Sequence, residues 1–145
     1  MRHIVCRTAV VLARDAILLW LMAFPVRLFV GGRFGSGKQA MPWIHIEDHV
    51  RAIRFLLEHP EANGAYNLIA PQATSNAEFM RILAKVLRRP YWFPVPAVLM
   101  RLALGEMSLL VTEGRFSQPK RLLEQGYVFR FPKPEEALGE IFRKK

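Results

Sequence analysis

Two short stretches of this chain carry residue types that chemistry needs. The first, Gly32-Arg33-Phe34-Gly35-Ser36-Gly37-Lys38-Gln39, nearly spells a phosphate-binding loop, in which backbone amides cradle phosphates and a lysine adds charge. Gln39 stands where a serine or threonine would hold magnesium, and Pro42 prevents a helix from opening where its N-terminus should meet the phosphates. The same loop fits G-x-G-x-x-A through Gly35, Gly37 and Ala40, but that dinucleotide pattern must also open a helix. The second stretch places His45 and His49 four residues apart with Glu47 and Asp48 between them, the spacing of two metal ligands on one helical turn. His45 belongs to a strand pattern and His49 to the first turn of a helix, so their imidazoles need not converge. The expected reading is no metal, and a strand-to-helix junction capped by carboxylates. Cys6 lies in an apolar strand pattern and reads as an inert buried thiol. No spacing suggests a Ser-His-Asp or Cys-His arrangement, and no catalytic residue is assigned.

The elements that would position these residues follow from periodicity. Residues 3–12 run almost continuously through Ile4, Val5, Thr8, Val10, Val11 and Leu12, as in a parallel strand covered on both faces. Asp15 is placed to cap a helix over 16–26, which Pro25 kinks or ends. Residues 42–46 read as a second strand leading into a helix over 47–58, with Val50, Ile53, Arg54 and Leu57 one turn apart. Residues 65–70 form a third strand. Ser75-x-x-Glu78 is a capping-box signature ahead of Phe79, Ile82, Leu83, Val86 and Leu87. Beyond Pro90 the pattern becomes proline-rich, with short apolar helices at 97–104 and around 107–111. A helix opens at Ser117-Gln118-Pro119 and closes at Gly126, a strand runs over 127–131, and a helix over 134–142 ends the chain. Strands alternating with helices, then a helical remainder, indicate an α/β protein.

Composition narrows the classes. In 145 residues, 52% are hydrophobic and 23% charged, which excludes disordered and collagen-like chains. The single cysteine permits no internal disulfide and suits a reducing, cytoplasmic setting. The formal charge of +9 is uneven: eight basic residues face six acidic before Arg81, and thirteen face six from there on. Basic pairs such as Arg88-Arg89 and Lys120-Arg121 are separated by apolar runs without interleaved aromatics, so a solvated face or an anionic ligand is expected, with no nucleic acid. Residues 16–26 are too short to span a bilayer, which takes about 20 apolar residues, and no membrane partner is expected.

Taken together, Arg7-Thr8-Ala9-Val10-Val11-Leu12, Gly35-Ser36-Gly37-Lys38-Gln39 with Trp43-Ile44-His45-Ile46-Glu47-Asp48, and Tyr66-Asn67-Leu68 resemble the second half of extended short-chain dehydrogenase/reductases. Leu68-Ile69-Ala70-Pro71, Asn76-x-x-Phe79, Arg89-Pro90, Pro94-Val95-Pro96, Gly105-Glu106 and Pro119-Lys120-Arg121-Leu122 are most similar to the atypical branch called epimerase family proteins, often described as nucleoside-diphosphate-sugar epimerases.

The resemblance implies that this chain supplies the C-terminal part of a Rossmann-like parallel sheet over 1–72 and a small, mainly helical substrate-side subdomain over 73–145. The family's glycine-rich dinucleotide loop and its Tyr-x-x-x-Lys pair do not occur in this sequence. NAD or NADP is therefore expected only with an N-terminal half present, and no cofactor for this chain alone. By position in the family, Arg7, Thr8 and Val10 would pass the nicotinamide end of the cofactor, and Gln39, Trp43 and His45 would face an unknown small-molecule substrate. The alternatives beside these are sheet packing for Thr8 and Val10, a core aromatic for Trp43 and a hydrogen-bonded junction residue for His45. Glu106 and Lys120-Arg121 would orient the subdomain. Met41 replaces the arginine with which nucleotide-sugar enzymes grip a pyrophosphate, and a thioether cannot substitute for a bidentate cation. The competing function is a non-catalytic interaction module, whose open sheet edge takes a second copy or another protein.

Overall fold

The computed structural model describes residues 3–29, 31–33, 37–72, 74–92, 94, 98, 101–102, 105 and 118–143. In chain order these form β1 (Ile4–Thr8), β2 (Val10–Leu12), α1 (Ile17–Arg27), β3 (Trp43–His45), α2 (Ile46–Glu58), β4 (Gly64–Leu68), α3 (Asn76–Leu87), α4 (Lys120–Glu124) and α5 (Pro134–Ile141). Of the helices expected over 97–104 and around 107–111, only Val98, Arg101 and Leu102 fall within the described residues. Glu106 lies outside them.

The run from His3 to Leu12 changes partner half-way. β1 pairs in parallel with β4, from Ile4 opposite Gly64 to Thr8 opposite Leu68. β2 pairs in parallel with β3, from Val10 opposite Trp43 to Leu12 opposite His45. Ala9, between them, still donates to the Leu68 carbonyl, whereas the Val10 amide donates to Pro42. The carbonyls of Pro42 and Trp43 point to opposite sides of their strand, one to Val10 and the other to the amide of Ala70. β3 therefore enters between the diverging ends of β2 and the β4 strand. The result is an α/β fold with parallel pairing throughout its named strands.

Neighbouring side chains on β3 face opposite sides, so this short strand serves two apolar cores. Trp43 joins Leu12, Met22, Met41, Phe79, Leu83 and Leu138 on one side; Ile44 joins Leu56, Tyr66, Leu68, Leu122 and Tyr127 on the other. The first core draws on residues before and after position 72 alike, through α1, α3 and α5.

Several expectations are corrected. α1 starts at Ala16 without a side-chain cap rather than on Asp15, and it continues through Pro25 to Arg27. Only one face of it is buried; Ile17, Trp20 and Phe24 stay exposed. On α2 the buried stripe is Asp48, Ala52 and Leu56, while Val50 and Leu57 are exposed; of the apolar stripe read from the sequence, Ile53 packs against the second core. Residues 127–131 form no strand, because the amides of Arg130 and Phe131 are taken by a side-chain carboxylate instead of a neighbouring backbone. β1 is uncovered rather than sandwiched: Val5 is 55% exposed and Cys6 is an exposed thiol.

The capping box of α3 forms as expected, with the Glu78 amide donating to Ser75 Oγ at 3.2 Å and Glu78 Oε2 accepting from the Ser75 amide at 3.4 Å. Ser75→Ala should lower stability by about 1 kcal/mol, the usual worth of such a cap. Chemical denaturation of the two chains would read this directly.

Candidate functional site

The junction between β3 and α2 turns two polar residues inward. His45 ends the strand and becomes the N-cap of α2, its Nδ1 accepting from the Glu47 amide at 3.0 Å. An accepting Nδ1 carries no proton, so Nε2 holds the hydrogen and donates to Glu140 Oε2 at 2.7 Å. The ring also stacks on Phe131, with centroids 4.1 Å apart. His45 is 3% exposed, and these contacts occupy both its nitrogens and one face. The cap is thus an imidazole rather than the carboxylates expected at this junction.

Asp48, one turn further on, is fully buried. Its Oδ1 accepts from the Tyr127 hydroxyl at 2.9 Å and the Arg130 amide at 2.8 Å, and its Oδ2 from the Phe131 amide at 2.8 Å. Arg130 pairs with Glu47 beside it. Burial, followed by the hydrogen bond to Asp48, pushes the Tyr127 phenol well above its ordinary value of 10.0. The sequence assigns no site role to Tyr127, Arg130 or Glu140, and it offers Asp48 only as a capping carboxylate of the junction. The available signal was Asp48 itself, four and eight residues ahead of Ala52 and Leu56, which completes an inward stripe with a charge.

A second brace ties α4 to β4. Arg121 donates to the carbonyls of Ala65 at 2.7 Å and Asn63 at 2.6 Å and lies over the Tyr66 ring, 4.2 Å from its centroid. Gln125 Nε2 donates to the Tyr66 hydroxyl at 2.7 Å. Arg121 thereby ties α4 to the β4 strand and the turn before it.

Of the glycine loop, Phe34, Gly35 and Ser36 lie outside the described residues, and its end from Gly37 to Gln39 is docked on α3. The carbonyls of Gly37 and Gln39 accept from the Ala77 and Asn76 amides at the start of α3, at 3.0 and 2.8 Å. Ala40 bridges Ser75, and Met41 and Thr74 exchange further hydrogen bonds. The first amides of α3 are therefore spent on this loop and on Ser75, and that of Glu47 on His45. The start of α3 thus offers no row of free amides for a dinucleotide's phosphates, and the row at α2 is interrupted at Glu47.

What remains accessible is the β1 edge. His3 O and Ala9 N both face β4, so in a parallel ladder the backbone groups of Ile4, Cys6 and Thr8 face away from it. Arg7 and Thr8 are exposed there, and Arg7 has no carboxylate partner among the described residues. Thr8 Oγ1 lies 3.3 Å from His49 Nε2. Burial pushes the His49 imidazole below its ordinary value, which favours its neutral form. His49 thus turns to β1 while His45 turns to α5. Among the described residues no three metal-ligating side chains converge.

The remaining expected positions are dispersed. Val10 and Trp43 are register partners packed in the core, at 8% and 1% exposure. The Trp43 indole nitrogen is buried with no hydrogen-bond partner among the described residues. Gln39 is half-buried in the docked loop. No helix among the described residues is long and apolar enough to cross a membrane.

Known proteins share this arrangement. Residues 26–69 match the NAD dependent epimerase/dehydratase family, and residues 95–141 a domain of unknown function (DUF1731). The chain is 39% identical over 141 residues to the mouse epimerase family protein SDR39U1, covering 97% of the chain and 48% of that relative. It is 42% identical over 140 residues to the epimerase family protein SH2119 of Staphylococcus haemolyticus, covering 97% and 47%. The crystal structure of human SDR39U1 isoform 2 with NADPH superposes at a TM-score of 0.89 and 36% identity, over 97% of the chain and 48% of that protein. The chain belongs to the epimerase family. It spans about half the length of the curated relatives it matches. A nucleoside-diphosphate sugar epimerase from Corynebacterium glutamicum superposes at 0.71 with 26% identity, over 97% of the chain and 26% of that protein.

Asp48→Ala should cost about 3 kcal/mol, since it leaves a buried phenol and two partly buried amides without their acceptor. Denaturant unfolding would measure it, and loss of far less would mean that water replaces the carboxylate. The Tyr127 shift has its own signature. A phenol whose folded value lies above its unfolded one contributes stability in full below about pH 10, and that contribution is lost as pH rises through the folded value. The chain should therefore weaken as pH climbs past about 10, and Tyr127→Phe should remove that part of the alkaline decline in a pH series of thermal melts.

Proposed function

We propose that this chain is the substrate-side, C-terminal portion of an NAD(P)-dependent oxidoreductase or epimerase of the extended short-chain type, active only with a dinucleotide-binding half against β1. The observation that carries the reading is the open β1 edge. Its sequence is that of a strand covered on both faces, yet Val5, Cys6, Arg7 and Thr8 are all exposed. Exposed Val50 and Leu57 on α2 add apolar surface in want of a cover. Relatives about twice as long, one of them solved with NADPH, have room for such a half.

The residues present do not by themselves fit a dinucleotide, because the first amides of α3, and that of Glu47 on α2, are already bonded within the chain. In this reading Arg7 and Thr8 flank the nicotinamide end of a cofactor held elsewhere, with His49 orienting the Thr8 hydroxyl. Gln39 lies on the substrate side. Val10 and Trp43 act through packing, shaping the wall behind that edge, and His45 keeps the α2 start in place. Met41 is 1% exposed within the apolar core, so this position contributes no cation to a substrate phosphate. That favours a substrate less anionic than a sugar nucleotide.

Titrating the 145-residue chain with NADPH should give no saturable micromolar binding. Mixing it with the half of mouse SDR39U1 that it does not match should restore binding, and Thr8→Val should weaken the restored complex several-fold. Micromolar affinity in the chain alone would overturn the proposal. The competing reading, self-association through the same edge, predicts a dimer by analytical ultracentrifugation that Cys6→Pro, which removes an outward-facing amide, disrupts.

A further inference from the structure

We propose that the cleft between α1 and α5 is a binding site for a small ligand that carries a phosphate-type dianion beside a flat ring. The cleft, about 310 Å³ in volume, is lined by three guanidinium side chains, Arg14, Arg27 and Arg143, together with the aromatic rings of Trp20 and Phe142. Its residues are not those of the β1 edge, and the proposed function does not use it.

Three features make this more than a solvated basic face. None of the three arginines is paired with a carboxylate among the described residues. The carboxylates nearest in the chain, Asp15 and Glu140, line a neighbouring depression with Glu47, which Arg14 also borders, and Glu140 is engaged by His45. Arg27 and Arg143, which do not border that acidic depression, face the cleft uncompensated, with Arg14 at its shared wall, and this raises the local potential for an anion.

Two of the guanidiniums are also held in place. Arg14 donates to the Glu140 carbonyl at 3.4 Å, and Arg27 lies 5.7 Å from the centroid of the Phe142 ring. A planar guanidinium fixed in this way loses less freedom when it grips two phosphate oxygens. The third feature is aromatic surface with nothing polar to do: Trp20 is 53% exposed and stacks on Phe24, leaving its ring available beside the charges. A volume of about 310 Å³ lies at the lower end of small-molecule pockets and suits one ring with one phosphate.

The site is testable on the full 145-residue chain with phenyl phosphate, inorganic phosphate and phenol as probes, using calorimetry and tryptophan fluorescence. Phenyl phosphate should bind saturably, at least several-fold tighter than inorganic phosphate, and phenol should not bind. Arg27→Gln and Arg143→Gln should each weaken phenyl phosphate about tenfold, with circular dichroism unchanged. Arg54→Gln, at an exposed arginine outside the cleft, should leave binding as it is. Trp20→Leu should remove both the fluorescence change and the preference for phenyl phosphate over phosphate. Non-saturable binding, or equal losses in Arg54→Gln and Arg27→Gln, would overturn the site by showing only diffuse charge attraction. Equal affinity for phenyl phosphate and inorganic phosphate would overturn the aromatic part of the proposal.

Discussion

A buried carboxylate governs how the end of this chain meets its beginning. Asp48 has lost its water, and a charge without water must be paired or hydrogen-bonded. It finds its partners about eighty residues away, in two consecutive amides and a phenol on the 127–131 segment. That demand fixes the segment as an arm rather than a strand, and the arm delivers α5 to the first core. Once α5 is seated, Glu140 can reach His45, and the same junction is tied down twice. α3 and α1 then close the core over Leu12 and Trp43.

This arrangement explains why the most chemical-looking stretch of the sequence is structural. The histidines and carboxylates of residues 45–49 are divided among separate tasks: His45 caps a helix and holds α5, Glu47 pairs with Arg130, Asp48 receives the arm, and His49 reaches Thr8. The end of the glycine loop is spent in the same way, the carbonyls of Gly37 and Gln39 bonded to the start of α3. Polar groups absorbed into the fold are unavailable for a ligand. The residues still accessible lie on β1 and around the α1–α5 cleft.

Much of the fold was legible because it rests on local rules. The strand-helix junction at 43–58, the Ser75–Glu78 capping box and the terminal helix all follow from periodicity and capping chemistry. The misses have a common cause, which is that tertiary context decides among locally equivalent options. α2 has apolar residues on more than one face, and periodicity alone could not reveal that the face carrying Asp48 turns inward. Residues 127–131 read as a strand because they are aromatic and β-branched, and only the distant carboxylate diverts their amides. β1 reads as covered because its composition is apolar, but composition alone does not say whether the described residues supply the cover, and they leave Val5 and Cys6 exposed. The family resemblance was readable from ordered motifs, whereas the placement of Gln39, Trp43 and His45 depended on contacts that no motif encodes.

Amide hydrogen exchange on the isolated chain tests most directly the claim that the arm is locked and the β1 edge is open. The account predicts that the amides of Arg130 and Phe131, though outside any helix or strand, exchange as slowly as those in the middle of α3. It predicts that the outward amides of Cys6 and Thr8 exchange far faster than the Ala9 amide bonded to Leu68. Rapid exchange at Arg130 and Phe131, or protection of Cys6 and Thr8 equal to that of Ala9, would contradict it.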